Sequence, residues 1–353
     1  MARRVRSSGP LDLRSQAILR AVIEEYVTTA QPVGSHALVE RYRLGVSSAT
    51  VRAVLSELES AGLLTHPHTS AGRVPTEQGY RYYVESIIDS APLPPVEQLM
   101  IRHQFGQVEY ASEHWFRLAA TTLASLTRAA GIATPAKPTS AHLRHLDLVA
   151  ISDRLASLIL VLREGSLKQV LVTLDEPTDQ AQLSSVAAFL NDLLVGLTAD
   201  DAERVIGRLD PNDETTGLHR RVGDRVVRSL EDFDADAIEE LFSDGLLNVM
   251  AAPEFAHSEK LRRVFAALEN RVYLAQLIDG VAGSGQVRVY IGSENPAEEM
   301  ADVSLVLAPY GRPGRAVGVV GVLGPTRMAY PQAIGTVQFV SGLMNELIDH
   351  LYA

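Results

Sequence analysis

The chain contains no cysteine. Disulfides, thiolate nucleophiles and cysteine-ligated zinc or iron are excluded by that absence alone. It also has no apolar run near the roughly 20 residues that a membrane-spanning helix requires. Its arginine-rich start (Arg3, Arg4, Arg6) runs into Ser, Gly and Pro rather than into a secretory apolar core. The expectation is a soluble, cytoplasmic protein with no membrane partner. Three catalytic signatures are missing as well: a phosphate-cradling GxxxxGKS or GxxxxGKT, a GxSxG nucleophile elbow and a zinc-binding HExxH. Neither an enzyme nor a cofactor is expected, and no repeats or long low-complexity tracts occur.

Positive charge is scarce overall, with a net charge of −11 over 353 residues. The shortage is unevenly placed. Residues 1–84 hold ten Arg against seven Asp or Glu, a surplus of +3, so the remainder carries −14. A mildly basic head on an acidic body can meet a phosphate backbone with the head alone. So small a surplus neutralises few phosphates, which implies that affinity comes from pairing two heads. The length and a 46% hydrophobic content suit two or three globular domains.

What is present is concentrated in residues 44–76, LGVSSATVRAVLSELESAGLLTHPHTSAGRVPT. Ser47 or Ser48 can cap a helix. Val51, Val54, Leu55 and Leu58 then share one stripe at helical spacing, the face that packs inward. Ala49, Arg52, Ala53 and Ser56 are left facing outward. Small side chains let a helix sink into a major groove about 12 Å wide, where Arg52 can bond a guanine edge and Ala49 can touch a thymine methyl. Thr50, at the side, suits a phosphate. Taken alone, this helix is equally well described as a surface helix with an ordinary arginine. The segment that follows tilts the balance. Gly62 suits the left-handed end of a helix, residues 63–66 leave as a strand, 69–72 are turn formers, Arg73 and Val74 return, and Pro75 ends the pairing. A helix followed by such a hairpin is the reading head of a winged helix-turn-helix, with Arg73 placed to reach a phosphate or the minor groove. His66 and His68 share a side of the hairpin, which leaves a metal pair open as an alternative, although no third ligand is evident.

In chain order, residues 11–29 form a helical stripe that Pro32 ends, and Gly34 and Ser35 open a short helix to about Tyr42. Thr76 caps a helix over 77–89. Residues 91–95, APLPP, read as a stiff linker. Residues 96–130 are mostly helical. Strands follow at 146–151, 156–162 and 169–174 as an antiparallel meander, and residues 179–250 read as about four helices, including 183–194 and 237–250. A long helix over 257–277 leads to strands at 287–291, 303–307 and 316–323 and a final helix over 333–351. Strands and helices segregate, so the fold class is α+β, multidomain. His142 and His145 fall in a solvated linker on this reading.

Several of these segments resemble the HrcA family of bacterial heat-inducible transcription repressors. They are Pro32-Val33-Gly34-Ser35, Ser47-Ser48-Ala49-Thr50-Val51-Arg52, HTSAGRVPT over 68–76 with Gly79-Tyr80-Arg81, Ile291-Gly292-Ser293-Glu294-Asn295, and Gly324-Pro325-Thr326-Arg327-Met328 with Tyr330. They occur in order and cover nearly the whole length. The family pattern commonly has arginine at His36 and isoleucine at Val51; His36 is the departure that bears on a DNA-backbone contact. The resemblance implies a winged helix-turn-helix over 1–90, a linker at 91–95, a GAF-like domain from 96–141 joined to 253–353, and a dimerising α+β insert over 142–252. It also implies a homodimer on double-stranded DNA carrying an inverted repeat known as CIRCE, repression of chaperone operons, and modulation by the GroEL-type chaperonin. Carried onto this chain, the expected DNA-contacting set is Ser35, His36, Ser47, Ser48, Ala49, Thr50, Arg52, Ala53, Ser56, His68, Thr69, Ser70 and Arg73. Two questions stay open. The Gly-rich run 311–324 can line a ligand pocket or serve tight strand turns, and residues 324–328 can be a structural turn or, through Arg327, an anion site.

Overall fold

The computed structural model describes residues 11–67, 72–87, 92–108, 112–138, 141–163, 167–210, 217–235, 241–255, 258–282, 284–312 and 316–351. Two compact units divide the chain. The larger comprises Met1–Pro135, Glu240–Tyr310 and Gly318–Ala353, the smaller Ala136–Glu239 and Gly311–Val317. Helices and strands are mixed throughout, as an α+β chain requires. Among the described residues no single helix is long and apolar enough to cross a membrane.

The larger unit begins with α1 (Leu13–Thr29), α2 (Ser35–Arg41) and α3 (Ser48–Ser60), then a hairpin of β1 (Leu64–Thr65) and β2 (Val74–Pro75), then α4 (Glu77–Ser86). Of these, α1, α3 and α4 start on a side-chain cap. Asp12 accepts from Ser15 N, Ser47 from Thr50 N and Thr76 from Gly79 N, each satisfying a first-turn N–H that has no partner within the helix. The helices close on Ile18, Leu19, Val22, Ile23, Leu38, Val51, Leu55 and Leu58, all buried. Val33 and Arg73 add a further antiparallel rung beside the hairpin, with both backbone bonds at 2.8 Å. Gly79 sits where α4 rides over β1, and a Cβ there would come within 2.1 Å of the Leu63 carbonyl oxygen.

Further along lie α5 (Pro95–Gly106), α6 (Ser112–Thr127) and β3 (Ala130–Ala133), and the smaller unit opens with β4 (Lys137–Pro138). Pro95, read from sequence as the end of a spacer, opens α5, since its fixed φ and missing N–H suit the first helical position. Leu93 beside it is buried.

The smaller unit holds β5 (Leu143–Ser152), β6 (Leu155–Leu162) and β7 (Leu167–Thr173), an antiparallel meander in that order, followed by α7 (Gln180–Leu194), α8 (Ala199–Ile206) and α9 (Gly217–Ala235). One sheet face, with Leu146, Leu148, Leu158, Leu160 and Val172, is buried with Leu183, Val186 and Leu190 of α7 and Val222, Val226 and Leu230 of α9. On the opposite face Val149, Ile151, Leu167 and Leu171 stand exposed. His145 is exposed as expected but lies on β5 opposite Val161 rather than in a linker, and His142 stands just before the strand, its carbonyl accepting from Arg163 N.

The larger unit resumes with β8 (Phe242–Asp244), α10 (Leu246–Met250), α11 (Ser258–Glu269), α12 (Arg271–Ala282), β9 (Arg288–Ile291), β10 (Val303–Arg312), β11 (Ala316–Pro325) and α13 (Tyr330–Leu351). Its sheet runs in the order β8-β3-β11-β10-β9, with β4 pairing onto the first residues of β11. Residues 242–250, read from sequence as helix, split into β8 and α10 at Gly245, whose φ of 71° ends the strand. The long helix expected over 257–277 is two helices. Asn270 separates them, its side chain accepting from Tyr273 N at 3.3 Å as a new cap. Of the Gly-rich run, residues 311–312 end β10 and 316–324 lie in β11, while 313–315 fall outside the described residues. The Tyr310 ring lies against Gly318, and its hydroxyl donates to the Thr134 carbonyl, so side chains occupy the space beside that glycine.

Candidate nucleic-acid interface

Sequence places three kinds of side chain on α3, and the structure sorts them by face. Val51, Val54, Leu55 and Leu58 are buried, whereas Ala49, Arg52, Ala53 and Ser56 are exposed. These four contribute two methyl groups, one hydroxyl and one guanidinium to the outward surface, beside the exposed Glu57 and Ser60. Ser56 Oγ donates back to the Arg52 carbonyl at 3.2 Å, keeping its bulk close to the helix. Arg52 makes no ion pair among the described residues, so its five donors are available outward.

The serines organise the N-terminal ends of two helices. Ser47 Oγ accepts from Thr50 N at 3.2 Å and lies 3.0 Å from Thr50 Oγ1. Ser35 Oγ, at the start of α2, lies 3.1 Å from Ser48 Oγ, at the start of α3. Four residues of the expected set thus join one polar seam, and the seam includes the positive end of the α3 dipole, where a phosphate oxygen is stabilised. His36, next along α2, is exposed and lies 3.4 Å from Glu40.

The hairpin is tied to α3 through one carboxylate. Glu59 Oε2 meets Arg73 Nη2 at 2.6 Å, and Glu59 Oε1 meets His66 Nδ1. Arg73 is only 23% exposed at its side chain, so its guanidinium bears on the helix as well as on solvent. His66 is likewise engaged by Glu59, and no group of three metal-ligating side chains occurs among the described residues. His68, Thr69 and Ser70 lie outside the described residues. The structure therefore brings Ser35, Ser47, Ser48, Ala49, Thr50, Arg52, Ala53 and Ser56 onto one surface and sets Arg73 behind it, against Glu59.

One basic residue escaped the sequence reading. Arg43 is exposed in the turn between α2 and α3, whereas its neighbour Arg41 pairs with Glu25. The alternation Arg41-Tyr42-Arg43 was the available signal: two cations two residues apart point differently, and only one has an acidic partner.

A family model, the HrcA protein C terminal domain, matches residues 113–334. The heat-inducible transcription repressor HrcA of Roseiflexus castenholzii is 41% identical over 341 residues, covering 96% of this chain and 95% of that protein. The same-named proteins of Chloroflexus aurantiacus and Thermomicrobium roseum are 41% and 40% identical, and each covers 98% of this chain. Among solved structures, one described only as a hypothetical protein at 2.2 Å superposes with a TM-score of 0.62 at 20% identity, covering 97% of this chain and 99% of that one. That likeness speaks to the fold alone.

Proposed function

The chain belongs to the HrcA family of heat-inducible transcription repressors, and from that premise we propose that it represses chaperone operons by inserting α3 into the major groove of an inverted-repeat CIRCE operator. The observation that carries this reading is the α3 surface, where Ala49, Arg52, Ala53 and Ser56 face outward above a fully apolar inner face. In this proposal residues 1–90 are a winged helix-turn-helix, Arg52 reads a guanine edge, and Ser35, Ser47, Ser48 and Thr50 take phosphate oxygens. Arg43 joins them as a further phosphate contact. Ala49, Ala53 and Ser56 line the groove, His36 lies at the DNA backbone, His68, Thr69 and Ser70 belong to the wing tip, and Arg73 holds the wing to α3 while its open side meets the backbone.

The functional species on this reading is a cytoplasmic homodimer. Two-fold protein symmetry matches two half-sites. The compact Ala136–Glu239 unit supplies the pairing surface, and the bare aliphatic face of its meander, with Val149, Ile151, Leu167 and Leu171, fits a second copy of itself. The sheet of β3, β8, β9, β10 and β11 with α6 and α13 is the GAF-like part. Support by a GroEL-type chaperonin is carried over from the family resemblance. Footprinting on DNA upstream of chaperone operons tests the central claim. Protection of both arms of an inverted repeat is expected, and protection of no site there, at protein concentrations saturating for folded dimer, rejects it.

A further inference from the structure

Three stretches within the segments shared with the family, residues 79–81, 291–295 and 324–330, lie outside the proposed DNA-contacting set. The structure brings them together. Arg81 of α4 donates from Nε to Glu294 Oε1 at 2.8 Å, from Nη2 to the other carboxylate oxygen, and from Nη2 to the Val289 carbonyl at 2.6 Å. Its bond to Glu294 raises the Arg81 pKa above the ordinary value. Glu294 is itself fixed, because Oε2 accepts from Ile291 N at 2.9 Å. One turn earlier on α4, Glu77 accepts from Ser293 N at 3.1 Å and from Ser293 Oγ. Gly292 makes this approach possible. Its φ is 53°, and a Cβ there would lie 2.0 Å from Glu77 Oε1.

A second point of attachment lies at the end of α1. Arg327 pairs with Glu254 through Nε and donates from Nη1 to the Val27 carbonyl at 3.1 Å, covering a last-turn acceptor with a cation as the helix dipole favours. This answers the question left at residues 324–328: Arg327 is committed to Glu254 and to α1. Between the two points the Tyr80 and Tyr330 rings meet with centroids 5.7 Å apart. Tyr330 is held in turn by the Thr326 carbonyl and Ser304 Oγ, both at 2.8 Å. These ion pairs are mostly shielded, with Arg81 and Arg327 only 26% and 17% exposed.

We infer that residues 289–294, Glu254, Arg327 and Tyr330 form a seat that holds the DNA-binding segment in one orientation on the C-terminal domain, and that leaving the seat abolishes tight operator binding without unfolding the segment. This rests on the function proposed above. A head held in register presents its partner half-site with a high effective concentration, and a head loose on its tether loses most of that gain. A single half-site, which needs no register, is indifferent to the seat.

Because the chain has no cysteine, two can be introduced without competition. Nitroxides on Leu13→Cys in α1 and Glu299→Cys beside the seat, both at exposed positions, report head-to-body distance by pulsed electron resonance. The comparison uses the full-length chain, Glu294→Gln and Arg327→Ala, with anisotropy on a one-half-site duplex and on the complete inverted repeat. Expected are a narrow distance distribution in the parent and a broadened one in both variants. Half-site affinity should stay within about twofold, while inverted-repeat affinity falls roughly tenfold or more. Circular dichroism verifies folding, and Glu294→Gln, which keeps shape and volume, decides the matter if Arg327→Ala does not fold. A broad distribution in the parent overturns the inference, as does inverted-repeat affinity that is unchanged or higher in Glu294→Gln. Failure of the parent to bind either duplex sinks the operator reading instead, and the distance measurement still judges the seat.

Discussion

Replacing Arg52 by alanine removes one exposed guanidinium from α3 and little else. The side chain is exposed and has no ion-pair partner among the described residues, so folding stability should change by less than about 0.5 kcal/mol. Binding should change far more. A bidentate contact to guanine is worth about 1–3 kcal/mol. In the proposed dimer two such contacts are made, which puts the loss on a full inverted repeat at about 2–6 kcal/mol, between roughly 30-fold and 10⁴-fold. Salt separates a base contact from a phosphate contact. Each phosphate partner lost lowers the steepness of log K against log salt by about 0.9, so two lost phosphate contacts would flatten it by nearly two units. Titration by fluorescence anisotropy at several salt concentrations, on cognate and random duplexes, reads both quantities. The expected outcome is a large loss on cognate DNA, a small loss on random DNA and an unchanged slope. Equal losses on the two duplexes with a flattened slope would move Arg52 from base readout to backbone contact.

Gly79→Ala should lower stability by about 2 kcal/mol despite the better helix propensity of alanine, because the new Cβ meets the Leu63 carbonyl and neither backbone can yield; denaturant unfolding checks this, and a stabilised variant would contradict the packing. Leu171→Glu, at an exposed position on the bare face of the meander, should leave each protomer folded and shift the sedimentation coefficient from dimer to monomer; an undisturbed dimer would place the pairing surface elsewhere. Stability should decline as pH rises through about 10 to 12. Burial pushes the Tyr83 phenol up to about 12 and raises Tyr80 and Tyr330 above 10 as well, so the folded chain holds protons that the unfolded chain has released; full stability belongs below pH 10. An alkaline melting series that is flat to pH 12 would count against this burial.

The inner and outer faces of α3 were legible because four aliphatic residues recur at helical spacing and a serine stands where a cap is needed. The company Arg73 keeps was not legible, since Glu59 is distant in sequence and only the folded hairpin brings the two together. Strands β3 and β8 escaped for another reason. They are four and three residues long, and Ala-Gly-Ile-Ala in β3 is buried on both faces, so no alternation marks it. The break between α11 and α12 is written in Asn270, a capping residue inside an otherwise continuous apolar period. Residues 291–295 and 324–330 were conspicuous by resemblance, yet spacing could not reveal their partners: Arg81 and Glu294 are separated by 213 positions.

The order in which the chain is made bears on its large sheet. Strand β3 leaves the ribosome early, but the strand that covers one of its edges, β11, lies roughly 180 residues downstream. At about 5–20 residues per second that edge waits roughly 10–40 s with its hydrogen-bonding groups open. The N-terminal helices close their own contacts well within this interval. A nascent chain therefore carries a folded α1–α4 segment whose seat, at residues 289–294 and 327, has not yet been made. Folding of this protein ends where its two ends meet, and for those tens of seconds an open strand edge is offered to any other chain nearby.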